Sequence, residues 1–217
     1  MDIPKKRILL VDDHPVMRFG LAQLVNLEDD LTIIGEAGTA AEAMKILESS
    51  EPDLAVVDLT LPDKSGIELI KDAKAVRPAL AILVVSMHDE NLYAERALRA
   101  GAKGYIMKEE AAEKLIEAIQ TVLAGGVFVS PNMSQRIVEM FSGGGSSKAA
   151  TPLEKLSDRE LEVFEHIGRG LGSKEVAEKL NVSPRTVDAH RAHIKEKLGI
   201  RDSRELIRRA VQWLDNR

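Results

Sequence analysis

The chain has 217 residues, of which 44% are hydrophobic and 30% charged, a composition that excludes disordered and collagen-like proteins. It contains no cysteine, so disulfides, zinc–cysteine sites and iron–sulfur clusters are excluded. No apolar run approaches the roughly 18 residues that span a bilayer, and the N-terminus turns acidic before a signal-peptide core could form. We therefore predict a cytoplasmic protein with no membrane partner. The formal net charge of −5 argues at first against nucleic acid as a partner.

Short aliphatic runs alternate with amphipathic stretches over the first 125 residues. The aliphatic runs are typical of β-strands and lie at 7–11, 31–37, 53–58, 80–85 and 104–107. The stretches between them have helical apolar spacing and lie at 14–27, 40–49, 65–77, 89–100 and 110–124. Strands that alternate with helices require right-handed crossovers, so the pattern predicts an α/β fold with a five-stranded, doubly wound parallel sheet. In such sheets ligands bind beyond the carboxyl ends of the strands.

A small, polar stretch, SGGGSSKAATP at 142–152, predicts a flexible linker. A helix is predicted just before it, at 132–141. The segment after it has no strand pattern, and its four predicted helices lie at 157–168, 173–180, 184–198 and 202–215. We therefore predict three segments, which are an α/β domain at 1–127, a linker helix with a flexible linker at 128–152, and an all-α domain at 153–217.

The linker also separates regions of opposite charge. Residues 1–147 carry 15 Lys and Arg against 23 Asp and Glu, a net of −8. Residues 148–217 carry 15 against 12, a net of +3. The acidity of the whole chain therefore belongs to its first part, and the second part is a candidate for contact with a polyanion.

Polar side chains stand at the carboxyl ends of the predicted strands. They are Asp12 and Asp13, Asp58, Ser86 and Lys108. We expect the five to meet at one edge of the sheet, where three carboxylates would repel one another unless a hard cation such as Mg²⁺ lay between them. Lys108 and Ser86 suit a tetrahedral anion attached to Asp58, so the set fits formation of an aspartyl phosphate. Each residue alone is more often a turn, cap or solvated residue, and only the joint pattern is informative.

These residues stand in VDDH, VVDLTLPDKSGIEL, VVSMHDE and RALRAGAKGYIMKE, which resemble the signature segments of two-component response-regulator receiver domains over about residues 5–125. The resemblance implies a flavodoxin-like receiver in which Asp58 accepts a phosphoryl group from a sensor histidine kinase. It also implies that Asp13, Asp58 and the carbonyl of Thr60 bind Mg²⁺, with Asp12 assisting through water.

The same resemblance gives roles to the remaining residues at this edge. Ser86 and Lys108 would bind phosphoryl oxygens. Ser86 and Tyr105 would form a switch, in which the hydroxyl moves toward the phosphate and the aromatic ring turns inward. Lys108 is followed by Glu109 instead of the proline found in many relatives, which leaves the geometry of that peptide bond open.

Capping patterns mark the helix starts of the second part. Ser157 with Glu160 has the spacing of a capping box, and Ser173 and Ser183 are expected to cap the next two helices. This is the layout of a helix-turn-helix with 184–198 as the recognition helix, although a generic helical bundle would share such caps. LSDRELEV and NVSPRTVDAH resemble the LuxR-type helix-turn-helix of NarL/FixJ-class regulators over about residues 153–213, which implies binding to double-stranded promoter DNA.

At 100° per residue, Val187, Ile194 and Leu198 share one side of the predicted recognition helix and define its buried stripe. The opposite side should face the major groove. We assign DNA contacts to Lys174, Arg185, Thr186, Asp188, Ala189, Arg191 and Lys195. Within this set Asp188 is the candidate acceptor for cytosine N4, whereas Arg191 and Lys174 are candidates for phosphate contacts.

The last predicted helix carries apolar residues at helical spacing. They are Leu206, Ile207, Ala210, Val211 and Leu214. Most are expected to fill the core of the small domain, and the resemblance implies that the exposed remainder forms a dimer contact on DNA.

Together these observations predict a phosphorylation-controlled, DNA-binding transcription regulator that is not an enzyme. Phosphorylation of Asp58 would release a recognition helix that the receiver otherwise hides, and would favour homodimers on a two-fold site. The alternative enzyme is an aspartyl-phosphate phosphatase resembling the haloacid dehalogenase group, but it would need an acid where the chain has Thr60. A flavin-binding domain would need a Ser/Thr-rich loop after the first strand. A receiver that works without phosphorylation would show no affinity for Mg²⁺ in the millimolar range.

Overall fold

The computed structural model describes residues 4–141 and 152–215, and the chain divides into two compact units, residues 1–142 and 143–217. The predicted flexible linker at 142–152 lies outside the described residues except for its last position. The domain boundaries at 127 and 152 therefore stay a prediction. Within the described ranges, no helix is both long enough and apolar enough to cross a membrane.

The first unit is built on a five-stranded parallel sheet. Its strands are β1 (Lys6–Val11), β2 (Leu31–Ala37), β3 (Leu54–Val57), β4 (Ala81–Ser86) and β5 (Gly104–Met107), in the order β2-β1-β3-β4-β5. This confirms the predicted α/β fold. The strand order reverses direction at the β1–β3 pair, where Val11 lies opposite Val57. The residues that follow them, Asp12 and Asp58, are therefore neighbours at the place where such sheets bind ligands.

Helices connect the strands and cover both faces of the sheet. They are α1 (Pro15–Asn26), α2 (Ala40–Ser49), α3 (Gly66–Val76), α4 (Glu90–Ala100), α5 (Ala111–Leu123) and α6 (Pro131–Phe141). All four residues of β3 are buried, as expected for a central parallel strand. The predicted fourth strand is displaced by one position, because Ser86 still pairs with Met107 and so belongs to β4. A bridge between Gly104 and Phe128 also extends the sheet beyond α5, where no strand was predicted.

The loop between β3 and α3 lies close against the backbone at the carboxyl end of β3. A Cβ atom on Gly66 would lie 2.2 Å from the carbonyl oxygen of Asp58, so only glycine allows α3 to begin there. The carboxylate of Asp63 accepts hydrogen bonds of 2.9 Å from the backbone N–H groups of Ala40 and Ala41. It thereby caps α2 and fixes the loop against it.

Helix α6 packs beside the first turn of α4. The backbone N–H of Ser130 donates to Glu90 Oε1 at 2.8 Å, and Arg136 donates to the carbonyl oxygen of Asn91 at 3.1 Å. Met133 is fully buried. The predicted helix at 132–141 is therefore part of the first unit and begins one residue earlier than predicted.

The second unit is all-helical, with α7 (Asp158–Gly168), α8 (Ser173–Lys179), α9 (Pro184–Leu198) and α10 (Ser203–Asp215). The predicted capping box is present, since Ser157 N–H donates to Glu160 Oε2 at 2.7 Å and Ser157 Oγ accepts from Glu160 N–H at 3.3 Å. Ser183 caps α9 as predicted, accepting from the N–H of Thr186 at 3.1 Å. Together with the buried helix faces, these caps explain why the segment folds as separate short helices.

The predicted cap at Ser173 is wrong. Gly172 is the N-cap of α8, and its N–H donates to the carboxylate of Glu175 at 2.8 Å. Because Glu175 stabilises this end of the helix, Ser173 becomes the first helical residue and its hydroxyl is directed elsewhere.

Helix α7 holds the second unit together by packing against both α9 and α10. Its Glu160 is only 3% exposed, and Lys197 of α9 donates to Glu160 Oε2 at 2.6 Å. Burial alone would raise the pKa of Glu160, but its hydrogen bonds with Lys197 and Ser157 outweigh burial and hold the pKa below its usual value. Glu160 is thus a buried anion that joins two helices.

Candidate functional site

Lys108 joins two carboxylates at the carboxyl edge of the sheet. Its Nζ lies 2.7 Å from Oδ2 of Asp58 and 2.7 Å from Oδ2 of Asp12, and all three side chains are buried. The chain enters a short 3₁₀ turn directly after β5, so Lys108 begins at the sheet edge and reaches across it. Burial by itself would lower the pKa of Lys108, but the two carboxylates outweigh it and raise the pKa. The lysine is therefore a fixed positive charge between two aspartates.

Asp58 is held at both carboxylate oxygens. Oδ2 accepts from Lys108, and Oδ1 accepts from the backbone N–H of Thr60 at 3.2 Å. Burial raises the pKa of the Asp58 carboxyl, and Lys108 opposes that change. All described peptide bonds, including the one between Lys108 and Glu109, are trans.

Oxygen ligands converge beside this pair. Asp12, Asp13, His14 and Asp58 each offer one ligand atom, and these atoms lie within 4.8 Å of one another. Asp12 Oδ1 accepts from the N–H of His14 at 2.8 Å, and Asp13 Oδ1 lies 2.6 Å from His14 Nδ1. The three predicted aspartates are thus together, in a cluster that could bind a metal ion. His14 was not among the predicted site residues, and its ring is an additional neighbour of the cluster.

Ser86 and Tyr105 both form hydrogen bonds with the backbone of His88. Ser86 is fully buried, and its Oγ accepts from the N–H of His88 at 3.2 Å. The Tyr105 ring lies inside the protein, and its hydroxyl donates to the carbonyl oxygen of His88 at 2.7 Å. Burial raises the pKa of the Tyr105 phenol, and its hydrogen bond with Ser86 opposes this only in part. Both residues predicted as a switch therefore contact His88.

His88 is a second residue of this site that was not predicted from the sequence. Its ring stacks on Tyr93 of α4 at 4.4 Å between centroids, and its Nε2 lies 3.0 Å from the hydroxyl of Thr60. A continuous set of contacts therefore runs from Asp58 through Thr60 and His88 to α4. The segment VVSMHDE contained the residue, but no pattern in it indicated that the imidazole would be buried.

An apolar groove lies beside Lys108 between α1 and the start of α5. It has a volume of about 740 Å³, and Met17, Met87 and Ala111 line it together with His14 and Lys108. Val16 of α1 also lines it and is 86% exposed, and Phe19 of the same helix is 65% exposed. Such exposed apolar side chains in a group indicate a contact surface for another molecule.

Helix α9 presents two different sides. Val187, Ile194 and Leu198 are buried, which agrees with the predicted stripe. Most of the residues assigned to DNA are exposed; they are Lys174 of α8 and, on α9, Arg185, Thr186, Asp188 and Ala189. Arg191 and Lys195 are half-buried, so Lys195 is less outward than the helical geometry predicted.

Helix α10 divides its apolar residues between the core and the surface. Leu206 and Ala210 are fully buried, whereas Ile207 is 43% exposed. The division agrees with the expectation that one part of this helix fills the core and the remainder stays accessible.

Two family models match the chain. The response regulator receiver domain matches residues 8–120, and the LuxR family of bacterial regulatory proteins matches residues 154–210. The chain is 38% identical over 212 residues to the oxygen regulatory protein NreC of Staphylococcus carnosus (strain TM300). That alignment covers 95% of this chain and 97% of the relative. The chain is 36% identical over 210 residues to NreC of Staphylococcus aureus (strain MRSA252), with coverage of 95% and 97%.

Solved structures give the same result. The chain is similar to RcsB from Salmonella enterica serovar Typhimurium bound to promoter P1flhDC in the presence of the phosphomimetic BeF3⁻, with a TM-score of 0.63, 26% identity, and coverage of 95% of this chain and 98% of that one. A LuxR-family two-component response regulator from Aurantimonas sp. SI85-9A1 matches with a TM-score of 0.58 and 38% identity over 63% of this chain and 97% of that one. The chain therefore belongs to those two-component response regulators that join a receiver domain to a LuxR-type DNA-binding domain and regulate transcription.

Proposed function

We propose that this regulator accepts a phosphoryl group on Asp58 and binds promoter DNA in response. The observation that carries the proposal is the position of Lys108 Nζ, 2.7 Å from both Asp58 and Asp12. A carboxylate and a phosphoryl group repel each other, so transfer between them needs positive charge at the point of attack. Lys108 supplies one such charge in a buried setting, where electrostatic interactions are strong.

In the proposed reaction an oxygen of Asp58 attacks the phosphorus of a phosphohistidine on a sensor histidine kinase. The P–N bond breaks as the O–P bond forms, and the histidine leaves. Lys108 and the hydroxyl of Ser86 would bind the phosphoryl oxygens of the product. The chain itself would thus be a phosphoacceptor and not an enzyme acting on other substrates.

The acidic cluster fits Mg²⁺ by the chemistry of its ligands. Asp12, Asp13 and Asp58 provide hard carboxylate oxygens within 4.8 Å of one another. Asp13, Asp58 and the backbone carbonyl of Thr60 would bind the ion directly, and Asp12 would act through water. When bound, Mg²⁺ would neutralise charge on the carboxylates and on the incoming phosphoryl group.

The apolar groove supports contact with the kinase. A protein that delivers a phosphoryl group to Asp58 has to lie over the edge of the sheet, where His14 and Lys108 line the groove. The exposed side chains of Val16 and Phe19 on α1 extend the same surface. We propose that the phosphohistidine-bearing domain of the kinase binds along this groove.

The proposed switch consists of Ser86 and Tyr105. A phosphoryl oxygen on Asp58 would accept from the hydroxyl of Ser86 and draw it away from its present position, in which Ser86 Oγ accepts from His88 N–H at 3.2 Å. Tyr105 is bonded to the same residue, so rearrangement at Ser86 would alter the β4–α4 segment. We propose that this change releases the DNA-binding domain and favours homodimers.

The proposed DNA-reading surface is the outer side of α9 with Lys174 of α8. Its members are Lys174, Arg185, Thr186, Asp188, Ala189, Arg191 and Lys195. Five of the seven are exposed and two are half-buried, and residues 148–217 carry a net charge of +3, which supports contact with double-stranded promoter DNA. The exposed Ile207 of α10 supports a dimer contact between two such domains.

Because its promoter DNA lies in the cytoplasm of a bacterium, we expect the regulator there.

Titration of labelled promoter DNA tests the proposal. Wild-type protein with Mg²⁺ and a small phosphoryl donor should bind more tightly than protein without the donor, and Asp58→Asn should show no such gain. Identical binding by wild type and Asp58→Asn would contradict it. A phosphatase would instead release phosphate from esters far beyond one equivalent, although the chain has Thr60, bonded to His88, where that class needs an acid.

A further inference from the structure

Ser173 connects the two helices of the helix-turn-helix through its hydroxyl. Its Oγ donates to Asp188 Oδ1 at 2.8 Å and accepts from Arg191 Nη1 at 3.3 Å. Arginine can only donate and a carboxylate can only accept, so the direction of both hydrogen bonds is fixed. The hydroxyl is available for these contacts because Gly172 and Glu175 already form the N-terminal cap of α8.

Both partners of Ser173 belong to the proposed DNA-reading surface. Asp188 is exposed and Arg191 half-buried, three positions apart on the same side of α9. Ser173 binds a single oxygen of Asp188, and a carboxylate has about four lone-pair sites, so Asp188 keeps acceptor capacity for a further partner. In the major groove the matching donor is the N4 amino group of cytosine.

The hydrogen bonds of Ser173 also place a positive charge near the negative charge of Asp188. A carboxylate on a DNA-reading surface is repelled by the phosphate backbone. The Ser173 hydroxyl contacts both the Asp188 carboxylate and the guanidinium of Arg191, so positive charge stays near the carboxylate. Asp188 can then read a base, while Arg191 remains directed toward the rim of the groove.

We propose that Ser173 is a positioning residue for DNA sequence recognition, which orients Asp188 toward a cytosine N4 amino group and Arg191 toward a phosphate. This inference rests on the proposed DNA-binding function and adds a specificity-determining residue to it. Ser173 itself would make no base contact.

Selection from a randomised duplex library by the phosphorylated full-length protein tests the inference. We expect Ser173→Ala to lose about tenfold in discrimination at one C·G pair of each half-site. The salt dependence of binding should stay unchanged, because no charge is removed. Ser173→Thr keeps the hydroxyl and should restore the preference. Ser203→Ala, at the corresponding first position of α10, is the matched control and should select the wild-type motif.

The outcomes separate this inference from the proposed function. If wild-type protein selects no motif, DNA reading fails and the inference fails with it. If wild type selects a motif and Ser173→Ala selects the same one, the inference alone is wrong. A uniform loss of affinity over all sequences would show a merely structural role for Ser173 and would also overturn it. Asp188→Asn provides a second measurement, since an amide pairs with adenine and should shift the preference at that position away from cytosine.

Discussion

The phenol of Tyr105 donates a 2.7 Å hydrogen bond to the backbone carbonyl oxygen of His88. The backbone N–H of His88 donates to Ser86, and its ring stacks on Tyr93 of α4. One residue therefore contacts both members of the proposed switch and the helix beside it. A change in the position of Ser86 would act on Tyr105 and α4 together, because packed interiors shift between discrete arrangements and do not deform continuously.

Replacing Tyr105 with phenylalanine should destabilise the receiver domain by about 1–2 kcal/mol, because the buried carbonyl of His88 loses its donor. Scanning calorimetry of the full-length protein would measure the change in the receiver transition. An unchanged transition would mean that this hydrogen bond contributes nothing to stability. The proposed switch adds a second expectation, namely that Tyr105→Phe reduces the gain in DNA affinity on phosphorylation while Asp58 still becomes phosphorylated.

Replacing Gly66 with alanine should destabilise the receiver by about 2 kcal/mol or more, because the added Cβ would lie 2.2 Å from the carbonyl oxygen of Asp58. The displaced loop should also slow phosphorylation of Asp58. Gly20→Ala is the matched control for stability, since Gly20 stands inside α1 and no atom beyond its chain neighbours and the backbone of its own helix lies within 4 Å of the added Cβ. That control should stabilise the protein by about 0.5–1 kcal/mol. Equal effects of the two variants on thermal unfolding would contradict the steric argument.

Replacing Lys108 with methionine should have opposite effects on metal binding and phosphorylation. The variant leaves Asp12 and Asp58 without their shared cation, so the affinity of the cluster for Mg²⁺ should rise by about tenfold or more. Phosphorylation of Asp58 should nevertheless become much slower, because the proposed contact with the phosphoryl oxygens is lost. Isothermal titration calorimetry and radiolabel incorporation measure the two quantities. Lys114→Met, which removes a lysine of α5 paired with Glu110, should change neither.

Much of the fold could be predicted because its signals are local. Aliphatic runs such as the one now seen as β3, and caps such as Ser183, depend on neighbouring residues and were predicted nearly to the residue. The convergence of Asp12, Asp58 and Lys108 was predicted because parallel strands place their carboxyl ends at one edge.

The features that were missed depend on contacts between distant segments. The burial of His88 requires Thr60 and Tyr93, and the close approach at Gly66 requires the path of the loop after β3. The wrong cap at Ser173 has the same origin, because a serine before a helix can also bond to Asp188, fifteen residues later. A local pattern does not distinguish these two partners.

The stability of the DNA-binding domain should depend on pH through Glu160. Its hydrogen bonds with Lys197 and Ser157 outweigh burial, so its pKa in the folded state lies below the usual value of 4.5. A carboxyl with a lowered folded pKa stabilises the folded state fully above its unfolded pKa, and this contribution is lost as the pH falls through the folded pKa. The domain should therefore keep the contribution of Glu160 at neutral pH and lose it below about pH 4.5.

The variant Glu160→Gln isolates this contribution, because it removes the charge that Lys197 contacts at 2.6 Å while keeping the shape of the side chain. At pH 7 the variant should lose about 1.5–3 kcal/mol in the free energy of unfolding, as expected for a hydrogen bond to a charged group. The difference from wild type should shrink as the pH falls below about 4.5.

Fluorescence of Trp213, the single tryptophan of the chain, reports on this domain because its ring lies 5.5 Å from that of Phe164. Glu178→Gln, on the exposed side of α8, is the control and should match wild type at every pH. A difference between Glu160→Gln and wild type that stayed constant from pH 7 to pH 3 would show that the charge of Glu160 does not stabilise the domain.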